Sequence, residues 1–217
     1  MEAAETVRTH SEDTEASDED TCTVCMEDLA GAASGVSLNI CGHKFHTECL
    51  VRVVEHQGGR GYVQCPNCQT VHGEKTGNMP AGGQMMWTRR PEMSLPGYQD
   101  CGTIVIKYVF SNGVQDVSHP DPGKPFYAKS FPRHSFLPDN EKGNRVLRML
   151  MTAFQRKLTF TIGRSITRGE EDCVVWNGIH HKTVVSDLGS GHGYPDPGYL
   201  DRVTSELQQQ GIREDSH

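Results

Sequence analysis

The sequence predicts a small zinc-stapled domain followed by a larger domain of the α+β class. Three observations lead to this prediction. Eight cysteine and histidine residues fall in four close pairs between Cys22 and Cys68. From Met79 onward, β-branched and aromatic segments alternate with helical patterns. Between the two parts, residues 72–78 form a polar connector that is too short for a long flexible tether.

The four pairs have the spacing by which proteins hold zinc. Tetrahedral Zn²⁺ takes four nitrogen or sulfur ligands, so eight ligands predict two ions. The segment is too short to bury a sufficient apolar core, and metal binding would then supply the free energy of folding. The predicted ligands are Cys22, Cys25, Cys41, His43, His46, Cys49, Cys65 and Cys68.

The order of these ligands, with histidine at the fourth and fifth places, resembles the RING finger over residues 21–71. The resemblance implies an interleaved cross-brace. Sequential pairing, as in PHD-type or LIM-type modules, is the alternative. The two implied zinc sites are Cys22, Cys25, His46 and Cys49, and Cys41, His43, Cys65 and Cys68.

The same resemblance implies a shallow apolar groove that docks a ubiquitin-conjugating enzyme. The matching positions are Val24 in the first knuckle, Leu50 in a short helix predicted over residues 47–56, and Pro66 in the last knuckle. Many RING ligases place an arginine directly after the final zinc ligand, where this chain has Gln69. An amide still forms hydrogen bonds, but the charge-assisted contact is lost.

Composition restricts the remaining functions. The formal charge is -7 at pH 7, and residues 1–20 account for all of it, with eight acidic residues and one Arg. This segment has few large apolar side chains, so we predict a disordered acidic tail. Because the rest of the chain is formally neutral, the zinc module is not expected to bind nucleic acid as such.

The sequence also predicts where the protein is found. It shows no basic start followed by an apolar run, and no stretch of ~20 apolar residues. We therefore expect no signal peptide, no membrane contact, and a location in the cytoplasm or nucleus. In such a reducing compartment, Cys101 and Cys173 are expected to be buried as small apolar side chains.

The second domain, predicted over residues 79–213, should contain three strands and two helices. The strands are residues 103–110, covered on both faces, then 159–162 and 174–176. Asn144 is predicted to cap a helix that reaches about Lys157, and Gly211 to end a last helix over residues 198–210. The first helix should bury an apolar stripe at helical spacing. Its members are Val146, Leu147, Leu150, Met151, Phe154 and Leu158.

Three loop segments combine aromatic rings, imidazoles and glycines, which suits a small polar ligand that carries a ring. They are residues 161–165, where a strand ends in a glycine turn with free backbone N–H groups, and residues 176–183 and 191–197. The alternative is that Trp176 belongs to the core and that the histidines lie at the surface or are already bonded. The chain has no Walker loop and no dinucleotide-binding glycine motif.

These segments resemble the C-terminal domain of the Deltex family of ubiquitin ligases. With the RING pattern in front, the resemblance covers residues 21–212. Larger Deltex proteins carry N-terminal WWE modules that bind Notch; this sequence has none, which predicts a short member whose link to Notch signalling follows only from the resemblance. The matching stretches are residues 94–98 (SLPGY), 102–106 (GTIVI), 119–123 (HPDPG), 137–140 (LPDN), 160–163 (FTIG), 176–177 (WN), 179–183 (IHHKT) and 193–197 (GYPDP).

The Deltex resemblance implies binding of NAD or ADP-ribose, recruitment of ADP-ribosylated targets, and joining of the ubiquitin carboxyl terminus to an ADP-ribose hydroxyl. By position, it implies that His180 and Glu206 are an acid–base pair. An imidazole with a pKa near ~6.5 suits removal of a proton from a ribose hydroxyl. Arg164, Ile166 and Arg168 depart from the family's hydroxyl-rich loop. The implied pocket residues are Gly163, Arg164, Ser165, Trp176, His180, His192 and Tyr194.

The leading hypothesis is therefore a ubiquitin ligase with two Zn²⁺ ions and an ADP-ribose pocket. Its expected partners are a conjugating enzyme, ubiquitin and ADP-ribosylated proteins, with nucleic acid only as an ADP-ribosylated substrate. The alternative is a non-catalytic adaptor that reads ADP-ribosylated proteins on a zinc scaffold. The absence of arginine at Gln69 favours that alternative.

Overall fold

The computed structural model describes residues 3–14, 20–29, 35–58, 61–187 and 189–213. The chain divides into two compact units. The first runs to Thr76 and includes Gln208–Gly211, and the second begins at Gly77. The division falls inside the connector predicted over residues 72–78. That segment is not a free linker, because Val71–Gly73 is a strand and the Gly77 N–H donates to the Arg156 carbonyl.

The first unit is built from short elements. The elements are α1 (Ala3–His10), β1 (Ser11–Asp13), β2 (Thr21–Cys22), β3 (Glu27–Asp28), β4 (Gly35–Leu38), β5 (Lys44–His46), α2 (Thr47–His56), β6 (Tyr62–Gln64) and β7 (Val71–Gly73). Among the described residues, the strands form three antiparallel groups, β1-β4-β5, β2-β3 and β6-β7, all too small to enclose a large core by themselves.

The prediction of a disordered tail over residues 1–20 is wrong for its described part. Ala3–His10 is helical, and Val7 is fully buried in the core of the first unit. Strand β1 pairs with β4, and the Ser11 hydroxyl donates to the Val7 carbonyl at 2.7 Å. One buried apolar side chain and one paired strand order this stretch. The composition of the whole twenty-residue segment, which is acidic and poor in apolar residues, conceals both features. Residues 1, 2 and 15–19 of the predicted tail lie outside the described residues.

The second unit has the predicted α+β content. The elements are β8 (Gln84–Arg90), β9 (Thr103–Val109), β10 (Gly113–Val114), β11 (Pro125–Phe126), β12 (Arg133–Pro138), α3 (Glu141–Gln155), β13 (Phe160–Ser165), β14 (Glu170–Trp176) and α4 (Tyr199–Gln209). The main sheet has the antiparallel order β12-β9-β8, and β13-β14 and β10-β11 form separate pairs. No helix among the described residues is long and apolar enough to cross a membrane.

Strand β9 carries the centre of this unit's core. Ile104, Ile106 and Tyr108 alternate toward the interior and are fully buried. The opposite face is only partly covered, and Lys107 is exposed, so the expectation that both faces are covered is wrong. Aromatic rings surround Tyr108 at centroid distances of 5.2–5.7 Å. This cluster joins the sheet to α3 and to the end of β14.

Helix α3 has the predicted apolar stripe but begins earlier than predicted. The cap is Asn140, whose side chain accepts from the Gly143 N–H at 2.8 Å, while Asn144 lies in the first turn. Gly143 permits this start, because an added Cβ would collide with the Pro138 carbonyl oxygen. Gly211 follows α4 with a φ of 75°, as predicted.

The two cysteines of this unit differ in burial. Cys173 on β14 is buried, as expected, whereas Cys101 is only half-buried. Cys101 therefore does not fit the expectation of a buried apolar side chain.

Candidate functional site

The eight predicted zinc ligands form two groups in the first unit. Within each group, the four ligand atoms lie within 4.8 Å of one another. Zinc–sulfur bonds of ~2.3 Å place the sulfurs of a tetrahedral site about 3.8 Å apart, so the donor sets fit Zn²⁺. The grouping is the cross-brace, and it excludes sequential pairing. The groups are Cys22, Cys25, His46 and Cys49, and Cys41, His43, Cys65 and Cys68.

The two Cys-x-x-Cys knuckles have the same backbone geometry. In the first, the Met26 N–H donates to the Cys22 carbonyl at 2.7 Å; in the second, the Gln69 N–H donates to the Cys65 carbonyl at 2.9 Å. Met26 and Gln69 both have positive φ, 65° and 62°, which turns the chain sharply after the second cysteine. These turns direct both thiols of each knuckle to one point.

The electrostatics of the two groups favour a bound cation. Burial raises the pKa of Cys49 and of Cys65 to about 12, and hydrogen bonds with neighbouring thiols contribute to the rise at both residues. Imidazole nitrogens complete the sets, with His46 Nδ1 at 3.3 Å from Cys25 Sγ and His43 Nδ1 at 3.6 Å from Cys65 Sγ. A divalent cation would stabilise these thiolates, as zinc does in structural sites.

His72 is a neighbour of the second zinc site that the sequence analysis did not identify. It lies on β7, is buried, and places Nε2 at 3.3 Å from Cys41 Sγ. Groups that hydrogen-bond metal ligands orient them and adjust their basicity. In the sequence, a role for His72 at the zinc site is indicated only by its position four residues after the last ligand, Cys68.

The three residues predicted to dock a conjugating enzyme differ in exposure. Val24 is 38% exposed and Pro66 is half-buried, but Leu50 is fully buried in the core of the first unit. Leu50 therefore cannot lie on a docking surface. On α2, Val51 also packs on the core, which leaves Val53 as the half-buried apolar side chain available at the surface.

In the second unit, Glu206 on α4 holds His180 at two points. One carboxylate oxygen lies 2.6 Å from His180 Nδ1, and the other accepts from the His180 backbone N–H at 2.9 Å. The acceptor oxygen places the proton of the neutral ring on Nδ1, so Nε2 carries the free lone pair. The His180 side chain is 80% exposed, and that lone pair is accessible to a ligand.

A cavity of about 360 Å³ lies beside this pair. Lys182 and Arg202 share the carboxylate of Asp196, and Glu206 adds a second carboxylate, so the cationic group open to a ligand is the guanidinium of Arg202, whose side chain is 59% exposed. The lining residues are His180, His181, Lys182, Ser190, Gly191, His192, Tyr199, Arg202 and Glu206.

Asp187 organises the loop that brings His192 to the cavity. Its carboxylate accepts from the backbone N–H groups of Gly189, Ser190, His192 and Gly193 at 2.7–3.2 Å, and from the Ser190 hydroxyl. The Ser190 hydroxyl and these backbone donors hold the pKa of Asp187 well below its ordinary value. The carboxylate thus remains ionised at neutral pH and keeps the loop in one conformation.

Lys182 holds the same loop from inside the fold. Its ammonium group is buried, donates to the Gly191 carbonyl at 2.8 Å and pairs with Asp196 at 2.7 Å. The neighbouring His181 is a core residue with its Nε2 3.0 Å from the Tyr108 hydroxyl. Burial lowers the pKa of His181 to about 4, so the ring is neutral at pH 7.

The other predicted pocket residues lie outside this cavity lining. Trp176 is stacked between Phe160 and His181, at 4.4 and 4.2 Å between ring centroids. Tyr194 is fully buried, and its hydroxyl donates to a backbone carbonyl of β12. Gly163, Arg164 and Ser165 belong to the β13–β14 hairpin. Of the seven predicted residues, the structure brings only His180 and His192 together, and it joins Glu206 to them.

Comparison with known proteins agrees with both parts of this description. Residues 20–69 match the Ring finger domain, and residues 76–212 match the Deltex C-terminal domain. E3 ubiquitin-protein ligase DTX4 of Mus musculus is 47% identical over 211 residues, which is 91% of this chain and 34% of that protein. E3 ubiquitin-protein ligase DTX1 of Homo sapiens is 49% identical over 211 residues, again 91% and 34%.

Probable E3 ubiquitin-protein ligase DTX3 of Homo sapiens is 40% identical over 197 residues, which is 91% of this chain and 54% of that protein. The chain thus spans between about a third and about a half of the length of the curated relatives it matches. The matches confirm both the RING and the Deltex resemblance. The chain belongs to the Deltex family, with a RING finger followed by a Deltex C-terminal domain.

Proposed function

We propose that this chain is a RING-type ubiquitin-protein ligase. The proposal is supported by the cross-brace grouping of its zinc ligands and by relatives whose names are those of E3 ubiquitin-protein ligases. A RING finger supplies no nucleophile; it holds a conjugating enzyme so that a substrate lysine reaches the ubiquitin thioester. The amine nitrogen bonds to the thioester carbonyl carbon and gives up a proton to solvent, the carbon–sulfur bond breaks, and the thiolate of the conjugating enzyme leaves.

The proposed docking surface for the conjugating enzyme comprises Val24, Val53 and Pro66. Val24 and Pro66 belong to the two knuckles, and Val53 is the available apolar side chain of α2. Gln69 follows the last ligand, and its side-chain amide donates to the Pro66 carbonyl at 3.2 Å. Because this amide is used within its own knuckle, we expect weaker activation of the thioester than an arginine would give.

We further propose that the second unit binds NAD or ADP-ribose in the cavity beside His180 and offers a ribose hydroxyl as a ubiquitin acceptor. The observation that carries this proposal is the two-point contact of Glu206 with His180. With Nδ1–H donated to the carboxylate, Nε2 can take the proton of the hydroxyl. Arg202 pairs with Asp196 through Nη2 and has further N–H groups that can donate to a diphosphate, whereas the Lys182 ammonium is buried against Asp196 and the Gly191 carbonyl.

The proposed reaction at this hydroxyl is an acyl transfer. The hydroxyl oxygen bonds to the thioester carbonyl carbon as its proton passes to His180 Nε2, and the carbon–sulfur bond breaks. The thiolate of the conjugating enzyme leaves, and the carboxylate of Glu206 stabilises the imidazolium that forms. The product is an ester between ubiquitin and ADP-ribose.

The same cavity would recruit proteins or nucleic acids that carry ADP-ribose, and these are the proposed substrates. A location in the cytoplasm or nucleus belongs to this proposal, because zinc-bound thiolates persist in reducing compartments. A role in Notch signalling is proposed only through membership of the Deltex family.

Two variants test the proposed division between the units. Cys41→Ala removes a ligand of one zinc site and should abolish transfer of ubiquitin to both lysine and ADP-ribose. His180→Ala should spare transfer to lysine and abolish transfer to ADP-ribose. Both activities are measured as discharge of a pre-charged conjugating enzyme. Equal loss of both activities in the His180 variant would contradict the proposed division.

The second candidate is a non-catalytic adaptor that reads ADP-ribosylated proteins. Gln69 favours it, because the arginine position of active RING ligases holds an amide here. Autoubiquitination with a panel of conjugating enzymes separates the two candidates. Silence across the panel, with ADP-ribose binding intact, would favour the adaptor.

A further inference from the structure

His180 is held by its backbone as well as by its ring. The preceding Ile179 and the following His181 are buried, whereas the His180 side chain is largely exposed, so alternation along the chain turns its imidazole outward. Packing therefore does little to fix the orientation of this ring. Residues 177–183 belong to no strand, so the backbone groups of His180 need partners outside a sheet. Both partners are side chains of α4.

These two side chains lie on one face of the helix. The Glu206 carboxylate accepts from the His180 N–H at 2.9 Å, and the Tyr199 hydroxyl donates to the His180 carbonyl at 3.0 Å. The two helical residues are seven positions apart, which is about two turns, so α4 directs both to the same side. The other oxygen of Glu206 meets the ring at Nδ1, and α4 therefore holds both the peptide groups and the imidazole of one residue.

Tyr199 is suited to this contact because its hydroxyl is always a donor. Burial raises the pKa of Tyr199, so the phenol stays protonated throughout the neutral range. Its ring lines the cavity and lies 5.2 Å from the Lys182 ammonium, measured to the ring centroid. The substitution Tyr199→Phe keeps these ring contacts and removes the hydrogen bond alone.

We propose that Tyr199 is a positioning residue for the general base, and that by holding the His180 carbonyl it keeps Nε2 directed at the ribose hydroxyl in the cavity. This inference rests on the proposed transfer of ubiquitin to ADP-ribose, and Tyr199 acts in it through His180 rather than on the substrate. Without the hydroxyl, the peptide unit after His180 is free to rotate and to tilt the ring. Proton transfer depends steeply on the distance and alignment of the base, so the chemical step slows.

The test measures single-turnover discharge of a pre-charged conjugating enzyme by the full chain over a range of ADP-ribose concentrations. Tyr199→Phe should lower the maximal rate about threefold to tenfold, which corresponds to the loss of one hydrogen bond, and change the half-saturating concentration by less than about twofold. Transfer to lysine should be unchanged. Tyr127→Phe is the matched control, because it makes the same chemical change at an exposed tyrosine outside the cavity lining, and it should alter neither rate.

The double variant Glu206→Gln/Tyr199→Phe tests whether both residues act through His180. If they do, the combined loss should be smaller than the product of the two separate losses, because an imidazole that cannot act as a base gains nothing from alignment. ADP-ribose affinity in calorimetry should be unchanged in Tyr199→Phe and reports that the second unit is folded. An unchanged maximal rate in this variant would overturn the proposal, as would losses that multiply. Failure of the wild-type chain to modify ADP-ribose would instead overturn the proposed function, and this inference with it.

Discussion

The substitution Glu206→Gln should block ubiquitin transfer to ADP-ribose by changing the tautomer of His180. The wild-type carboxylate has two acceptor oxygens, which meet the His180 backbone N–H and the ring Nδ1–H. A glutamine amide offers one acceptor and one donor. If its oxygen accepts from the backbone N–H, its NH₂ group faces Nδ1, so Nδ1 must become the acceptor and the proton moves to Nε2.

A protonated Nε2 in a neutral ring cannot act as a base. The opposite orientation of the amide places its NH₂ against the backbone N–H, donor against donor, so the hydrogen bond to the His180 backbone is lost. General-base catalysis contributes ~10²–10⁴-fold to rate, so transfer to ADP-ribose should fall by a factor in that range. Transfer to free lysine should change by less than about twofold, because that reaction needs only the RING finger.

The assay measures single-turnover discharge of a pre-charged conjugating enzyme, with ADP-ribose and with lysine in separate reactions. Asp201→Asn is the matched control, because it makes the same chemical change on α4 at an exposed ion pair with Lys142. That control should leave both rates unchanged. Retention of ADP-ribose transfer by Glu206→Gln would refute the tautomer argument, and so would equal loss of both activities.

Three further changes test other parts of the structure. His72→Leu removes the imidazole beside Cys41, so the zinc affinity of that site should fall by about 10–100-fold, measured by competition with a colorimetric chelator. Unchanged affinity at both zinc sites would contradict a role for His72. Asp187→Ala should weaken ADP-ribose binding in calorimetry and spare ubiquitin transfer to lysine. In the wild-type protein the pKa of Asp187 lies well below its ordinary value, so the carboxylate stays ionised, and ADP-ribose binding should not change through this group between pH 7 and 5. Val7→Ala should destabilise the first unit by about 2 kcal/mol in urea unfolding, whereas Val117→Ala, at an exposed site, should have no effect; equal stability of the two variants would contradict the buried position of α1.

The zinc centres are the part of the site that sequence predicts best. Ligand spacing along the chain is local information, and zinc imposes both the number and the type of ligands. The cross-brace grouping came only from the RING resemblance, because spacing alone also permits sequential pairing. The error at Leu50 has a geometric cause: the face of α2 that packs on the core is set by where the zinc ligands hold the helix, which the short pattern of residues 47–56 does not reveal.

The cavity beside His180 was only partly predicted. The roles of His180 and Glu206 were predicted from the Deltex resemblance. No local sequence pattern indicated the role of Asp187, whose carboxylate accepts hydrogen bonds from backbone N–H groups up to six residues further along the chain. Lys182 belongs to residues 176–183, a segment that was selected for its aromatic rings, imidazoles and glycines. Its hydrogen bond to the Gly191 carbonyl joins residues nine positions apart, so the local pattern did not predict it. Tyr194 matched the family pattern, yet its ring is needed in the core, where its hydroxyl satisfies a backbone carbonyl. Side chains that pack in the core and side chains that line the cavity therefore lie in the same sequence motif.

Intact-mass analysis of ubiquitin, after reaction of the wild-type chain with a charged conjugating enzyme and ADP-ribose, tests ester formation at the ribose hydroxyl without any substrate protein. We expect a product with the mass of ubiquitin plus ADP-ribose less one water, which hydroxylamine cleaves as an ester and which is absent with His180→Ala. Failure to form this product with every conjugating enzyme that supports lysine transfer would contradict the proposed ester formation.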